Sequence, residues 1–320
     1  MPEPASAAPS PRALRAGEAD ALLHFIAERN RPDAPAADLQ HCLHLADSVA
    51  GLRADVERDG IDLDDAFLVV SDASGWRGTA GLQRDGDRGW LFGPWARDAA
   101  DGAVRQALLR AVLDRRPGPA EVRAFSDLRS GAVNAELEAA GFVHQSEVHV
   151  MQARRGAWHD AGAVQGGVAF GEAVDGDEPA LAALHRLAFP QAWLAGEDLL
   201  AHARRHGVML VARDDADAGP ALLGSLCLGL NPALAEADVE FIAVVPAARG
   251  RGVGRALLQA ALREAFLRSP PAEAVNLVVN GTNLQALKLY ESSGFVRLFS
   301  GASMRWQREV EAPPDAAPAA

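Results

Sequence analysis

The side chains best placed to move protons in this 320-residue sequence are Asp238, Glu240 and Tyr290. Asp238 and Glu240 stand two residues apart in the apolar run "ADVEFIAVV", so on a β-strand both carboxylates project from one face. Either can take a proton from a substrate, and Tyr290, the only tyrosine of the chain, carries a hydroxyl that can return one. Between them lies "ARGRGVGRALLQ", in which Arg249, Gly250, Arg251, Gly252, Val253, Gly254 and Arg255 lead into a helix-like repeat of Leu and Ala. The start of a helix leaves about four backbone N–H groups unpaired and carries roughly half a unit of positive charge, so it attracts phosphate. Glycines let the anion approach that backbone closely.

Two phosphate-binding loops are excluded by their own spacing. A Walker loop ends in Gly-Lys-Ser or Gly-Lys-Thr, whereas Gly254 is followed by Arg255-Ala256. A dinucleotide fingerprint requires glycine where Arg255 or Leu257 stands. What remains is Arg249-x-x-Gly252-x-Gly254 after a strand ending Val-x-Pro, and this closely resembles the acetyl-CoA-binding motif of the GNAT N-acetyltransferase superfamily. The downstream "VNGTNLQALKLYESSGF" resembles the second half of that pattern, with Asn283, Tyr290 and Gly294-Phe295 in the matching places. Thr282 with Gln285 forms a capping-box pattern, which starts the helix there and puts Ala286, Leu287 and Tyr290 on one face.

The resemblance implies a reaction and a site. Acetyl-CoA is the co-substrate, its pyrophosphate cradled by the turn from Arg249 to Arg255 with Asn283 nearby, and no metal takes part. An amine attacks the thioester carbonyl. Ile242, Ala243 and Val244 face the pantetheine and acetyl group, and the Val244 N–H supplies the oxyanion donor from a splayed bulge. Tyr290 matches the family's acid for the departing thiolate. A carboxylate on the strand before the turn often serves as base; Glu240, longer and nearer the bulge, is favoured over Asp238. Phe189 and Trp193, in "LAFPQAWLAG", lie where the family places the loop that shapes the acceptor pocket.

These residues need a scaffold, and the chain suggests two copies of one. The stretches 67–83 and 209–229 both read as hairpins, and "NAELEAAGFVHQ" is echoed by "LKLYESSGFVRL". The Gly-Phe pairs at 141 and 294 and the prolines at 94 and 246 recur at nearly the same offset, as in a duplicated unit. The expected fold class is α/β (α+β): two tandem GNAT-like domains, each a mixed, mostly antiparallel sheet flanked by helices. Expected boundaries are a flexible extension over 1–10, a first domain over 11–155, a linker over 156–167, a catalytic domain over 168–308 and a flexible tail over 309–320. In the first copy "WARDAADGAVRQALL" faces the glycine turn with Gly102 alone, and Leu137 takes the place of Tyr290, so this half reads as degenerate.

Composition sets the remaining bounds. Apolar residues make up 49% of the chain and charged residues 23%, enough for a globular core. No run reaches the ~18 apolar residues of a membrane helix. The net charge of −12 argues against nucleic-acid partners and suits a cationic one, a small-molecule or peptide amine. Two cysteines, Cys42 and Cys227, rule out a disulfide framework and indicate the cytoplasm. The chain is expected as a monomer or homodimer, without a membrane. His202 and His206 are one helical turn apart, but no third ligand is evident, and like "HCLH" at 41–44 they read as solvated helix faces. A CoA-binding sensor or scaffold without turnover is the rival function, followed by an acyltransferase with another donor or acceptor.

Overall fold

The computed structural model describes residues 10–43, 45–115, 117–159, 168–190, 192–214, 221–268 and 270–308. The expected tail, most of the linker and nearly all of the N-terminal extension lie outside them. In chain order the first elements are β1 (Arg12–Ala13), α1 (Ala19–Arg29), α2 (Val49–Asp59), α3 (Leu63–Ala66), β2 (Phe67–Asp72), β3 (Gly75–Asp85), β4 (Arg88–Ala96), α4 (Gly102–Leu113), β5 (Glu121–Asp127), α5 (Gly131–Ala139) and β6 (Val143–Arg154). There follow β7 (Val168–Glu172), α6 (Glu178–Ala188), α7 (Leu199–His206), β8 (Gly207–Asp214), β9 (Leu222–Asn231), β10 (Glu236–Val244), α8 (Val253–Leu267), β11 (Ala274–Asn280), α9 (Leu284–Glu291) and β12 (Val296–Gln307).

The chain forms two compact units, and they are not its two consecutive halves. One comprises residues 1–147 with 301–320; the other is Val148–Ser300. The sheet of the first unit runs β1-β2-β3-β4-β5-β12, and that of the second runs β7-β8-β9-β10-β11-β6. The two orders are the same design, antiparallel except for one parallel pair: β4 with β5 in the first unit and β10 with β11 in the second. The sixth strand is exchanged. Residues 301–307 of β12 pair with β5, and residues 148–154 of β6 pair with β11. The expected boundaries at 155 and 168 assign each final strand to its own half. An alternating strand carries no mark of which open edge it will join, so this exchange is invisible in the pattern.

Each sheet is covered by helices whose apolar stripes face it. In the second unit α8 buries Val253, Leu257, Ala261 and Leu262 against Leu226, Leu228, Val239 and Val275. The opposite face holds Leu181 of α6, Leu199, Leu200 and Ala203 of α7, and Phe241 of β10. Pro179, early in α6, has no N–H to lose there, which fits the observed start of that helix. In the first unit Val104, Leu108 and Val112 of α4 pack on Leu82, Leu91 and Val122, and Leu137 is fully buried among them.

Candidate acetyl-transfer site

The second unit opens a gap in its own sheet. The parallel pair β10–β11 is in register only from Glu236↔Ala274 to Val239↔Leu277. Beyond Val239 the strand β10 pairs with β9 alone, through a β-bulge between Val239 and Phe241 that holds Glu240. A bulge turns two successive side chains to one face. Accordingly Val239 lies in the core under α8, while both Glu240 and Phe241 face α6 and α7. The Val245 N–H bonds Leu223 O of β9 at 2.9 Å. Successive N–H groups of a strand point to opposite edges, so those of Val244 and Ile242 point into the gap. The Val244 carbonyl on that edge accepts from Arg249 Nε at 3.3 Å.

At the end of β10 the chain enters the glycine turn. Gly250 and Gly252 have φ of +78° and +81°, conformations that favour glycine, and a Cβ at either would meet nothing within 4 Å. The turn therefore faces open space. The N–H groups of Gly250, Gly252, Val253, Gly254 and Arg255 have no backbone acceptor among the described residues. This is the array of unpaired donors a pyrophosphate requires, so the residues present fit coenzyme A. α9 lies beside the turn: Arg255 donates to Ser292 Oγ at 2.8 Å, and a Cβ on Gly254 would lie 3.6 Å from Leu289 Cδ2.

α9 starts later than the capping pattern predicts. Asn283 is its N-cap, accepting from the Ala286 N–H at 3.1 Å, while Thr282 turns back and donates through its N–H and hydroxyl to Asn280 Oδ1 at 2.9 and 2.7 Å. A carboxamide one residue downstream outcompetes the hydroxyl because Asn280 has already engaged it. Of the predicted face only Tyr290 is buried; Ala286 and Leu287 are half-exposed. Tyr290 is 6% exposed, packed on Phe295 with ring centroids 5.8 Å apart. Burial pushes its phenol pKa up to about 12.

On the other face Glu240 is held tightly. His202 Nε2 donates to its Oε2 at 2.9 Å, and the Cys227 thiol donates to the same oxygen at 3.1 Å. Burial, reinforced by that carboxylate, pushes the Cys227 thiol pKa upward. The other oxygen, Oε1, lies over Gly229, where a Cβ would approach it to 2.7 Å. The expectation of solvated helix faces fails for His202, whose side chain is only 12% exposed. His41 departs from it too: it is outside any helix, 5% exposed and bonded to Asp127, while His44 lies outside the described residues. His202 spoke to a residue 38 positions away, which no local spacing reveals.

Around Glu240 the loop between α6 and α7 supplies an aromatic wall. Phe189 and Trp193 pack on Phe241 with centroids 5.3 and 5.7 Å apart, and Trp193 stands edge-on to His202 at 5.1 Å. Half of the Trp193 surface remains exposed. Asp238 projects to the same face as Glu240, next to a polar row in which Glu236 accepts from Asn276 Nδ2 at 3.2 Å and Asn276 Oδ1 from Gln152 Nε2 at 2.9 Å.

The first unit has the same gap, and fills it. β4 and β5 part after Leu91↔Ala124. Into the opening comes the segment 40–43: Leu43 N–H bonds Phe125 O at 2.9 Å, Asp127 N–H bonds His41 O at 3.0 Å, and Cys42 bridges Ser126. The Gln40 carboxamide closes on β4, accepting from the Ala96 N–H at 2.6 Å and donating to its carbonyl at 3.0 Å. Asn30, fully buried, pins the segment through Cys42, Leu45 and Ala46. At the start of α4 the Asp101 carboxylate accepts from the Val104 N–H, and the buried Arg105 pairs with Glu136 of α5. A carboxylate and an ion pair thus occupy the places of the phosphate cradle.

A sheet parted at its parallel pair, a glycine turn feeding a helix and a carboxylate at the bulge make up a GNAT-type fold. Residues 178–295 match the acetyltransferase (GNAT) family. It is 32% identical to a mycothiol acetyltransferase of Thermomonospora curvata over 60% of this chain and 65% of that protein. It spans less than two thirds of the length of the curated relatives it matches. In fold it resembles a GCN5-related N-acetyltransferase from Sphaerobacter thermophilus, at TM-score 0.73 and 19% identity over 93% of this chain and 95% of that one. A tandem GNAT protein from the clavulanic acid biosynthesis pathway follows at TM-score 0.65 and 17% identity, over 95% and 98% of the two chains.

Proposed function

We propose that the chain is an acetyl-CoA-dependent N-acetyltransferase that moves an acetyl group directly to a primary amine within a ternary complex, in its second unit. The observation that carries this is the free edge of β10, where the Val244 N–H points into the gap between the glycine turn and Glu240. Acetyl-CoA, when bound, supplies an acyl group activated as a thioester. The N–H groups of Gly250 and of Gly252 to Arg255 would hold its phosphates, with Asn283 and the side chains of Arg249 and Arg251 alongside, and Ile242 to Val244 would flank its acyl end. The Val244 N–H stabilises negative charge developing on the carbonyl oxygen, a role worth several kcal/mol for a preorganised donor (about 2.7 to 4).

Glu240 takes the amine proton through Oε1, since both donors from the protein already occupy Oε2. Asp238 stands on the same face and holds the substrate ammonium before transfer. Tyr290 returns a proton to the thiolate; at a pKa of about 12 it stays protonated through the physiological range. The proposed transfer calls on no metal, nucleic acid or membrane. Phe189 and Trp193 shape the acceptor pocket. The names of the relatives put a mycothiol-type acceptor first among amines to test.

The test is a panel of amines with acetyl-CoA, read as acetylated product by mass spectrometry, because a thiol-bearing acceptor would confuse detection of released CoA thiol. Product with at least one amine is expected. Binding of acetyl-CoA by calorimetry with no product from any amine would favour a sensor or scaffold instead.

A further inference from the structure

His202 Nε2, Cys227 Sγ and a carboxylate oxygen of Glu240 lie within 4.8 Å of one another, the one such grouping of three or more His, Cys, Asp or Glu donors among the described residues. They come from α7, β9 and the β10 bulge, so three separate backbones aim them at one point. In the structure two protons fill that point, both shared with Glu240 Oε2, at 2.9 Å from nitrogen and 3.1 Å from sulfur. One cation can replace both protons. Nitrogen, sulfur and oxygen together form the ligand set of a zinc site with three protein ligands and an open fourth position. Zinc bonds of about 2.0 to 2.3 Å in tetrahedral geometry hold ligand atoms roughly 3.3 to 3.6 Å apart. The pairs to Oε2 need to open by only a few tenths of an ångström, which the loss of two hydrogen bonds allows, while the Nε2–Sγ pair, within 4.8 Å, closes toward about 3.6 Å.

Access is uneven in a way that suits such a site. Cys227 is fully buried, whereas the His202 and Glu240 side chains keep 12% and 15% of their surface exposed at the face walled by Trp193. A hydrated ion can therefore meet the imidazole and carboxylate first and the thiol last.

We propose that His202, Cys227 and Glu240 form a binding site for a thiophilic divalent cation, zinc above all, whose occupancy withdraws the Glu240 carboxylate from the acceptor face. The step is ligand exchange without oxidation. Neutral His202 moves its proton from Nε2 to Nδ1, Cys227 releases its thiol proton to solvent, and the three atoms donate lone pairs to the ion while water keeps the fourth position. The inhibition follows from the role of Glu240 given above; the binding itself does not depend on it.

Cobalt(II) titrated into the full chain tests the site without any acetyl acceptor. A near-ultraviolet thiolate-to-cobalt band and visible bands of tetrahedral type are expected to saturate at one ion per chain and to be displaced by zinc. Cys227→Ser should abolish the near-ultraviolet band, and His202→Gln, which leaves the buried thiol in place, should weaken binding roughly tenfold or more. Circular dichroism checks that each variant is folded. Absence of the thiolate band at millimolar cobalt in the wild type, or its persistence in folded Cys227→Ser, overturns the assignment.

Discussion

Tyr290→Phe separates catalysis from packing more cleanly than any other substitution in the chain. The ring stays against Phe295, so little stability should be lost at neutral pH. Turnover should fall roughly 10 to 10³-fold, the worth of a general acid less what water restores. The loss belongs in kcat rather than KM, because the proton is needed in the transition state. Where product release limits the wild type, single-turnover measurement exposes the chemical step. The structure adds an alkaline signature. Burial raises the folded pKa to about 12 against about 10 unfolded, so the contribution is fully present below pH 10 and is lost as pH rises through 12. At pH 11 the wild type should have lost about 1.4 kcal/mol relative to the phenylalanine variant, read from denaturant unfolding at pH 8 and 11. An unchanged single-turnover rate with a competent amine would make Tyr290 core filler only; an equal alkaline loss in both proteins would mean its phenol is not shielded as described.

Three further outcomes follow from the same geometry. Gly252→Val forces a branched side chain into φ +81° and screens the N–H array, so acetyl-CoA affinity should drop at least about tenfold, roughly 1.4 kcal/mol; unchanged calorimetric affinity in a folded variant removes the phosphate assignment. Gly229→Ala puts a methyl 2.7 Å from Glu240 Oε1, and the displaced carboxylate should lower kcat about 10 to 10²-fold with cofactor affinity intact. If kcat holds, Asp238 or water is the base. Calorimetry should find one acetyl-CoA per chain, because the segment 40–43 occupies the other gap; a stoichiometry of two contradicts that reading.

The parts of this architecture written in local chemistry were legible in the sequence. The helix 253–267 begins where the glycine turn gives way to the repeat of Leu and Ala. Gly252 also marks its turn, since only a backbone in the left-handed region passes there. The fold class followed from the resemblance of the motifs between Asp238 and Phe295, carried to the first half by the repeat. What stayed hidden depends on partners remote in sequence. Nothing in β6 or β12 tells which sheet each completes. The bulge at Glu240 is a mismatch between two strands, invisible in either one. His202 reads as surface until α7 is laid against β10, and Asn283 wins the cap from Thr282 only because Asn280 folds back first.

The filled gap of the first unit makes that domain its own ligand complex. A GNAT-type sheet parts at its parallel pair and leaves strand edges unsatisfied; in the second unit Arg249 meets the Val244 carbonyl and the Val244 N–H faces the gap, whereas in the first the segment Gln40 to Leu43 fills it. Ligand linkage therefore reaches only one of them. At a hundredfold excess over its dissociation constant, acetyl-CoA would stabilise the second unit by about 2.7 kcal/mol, while the first was saturated as soon as it folded, at an effective concentration no metabolite can match. If the second unit binds acetyl-CoA as proposed, the first is a permanently occupied copy indifferent to its supply, and the second is the copy whose rigidity would report it.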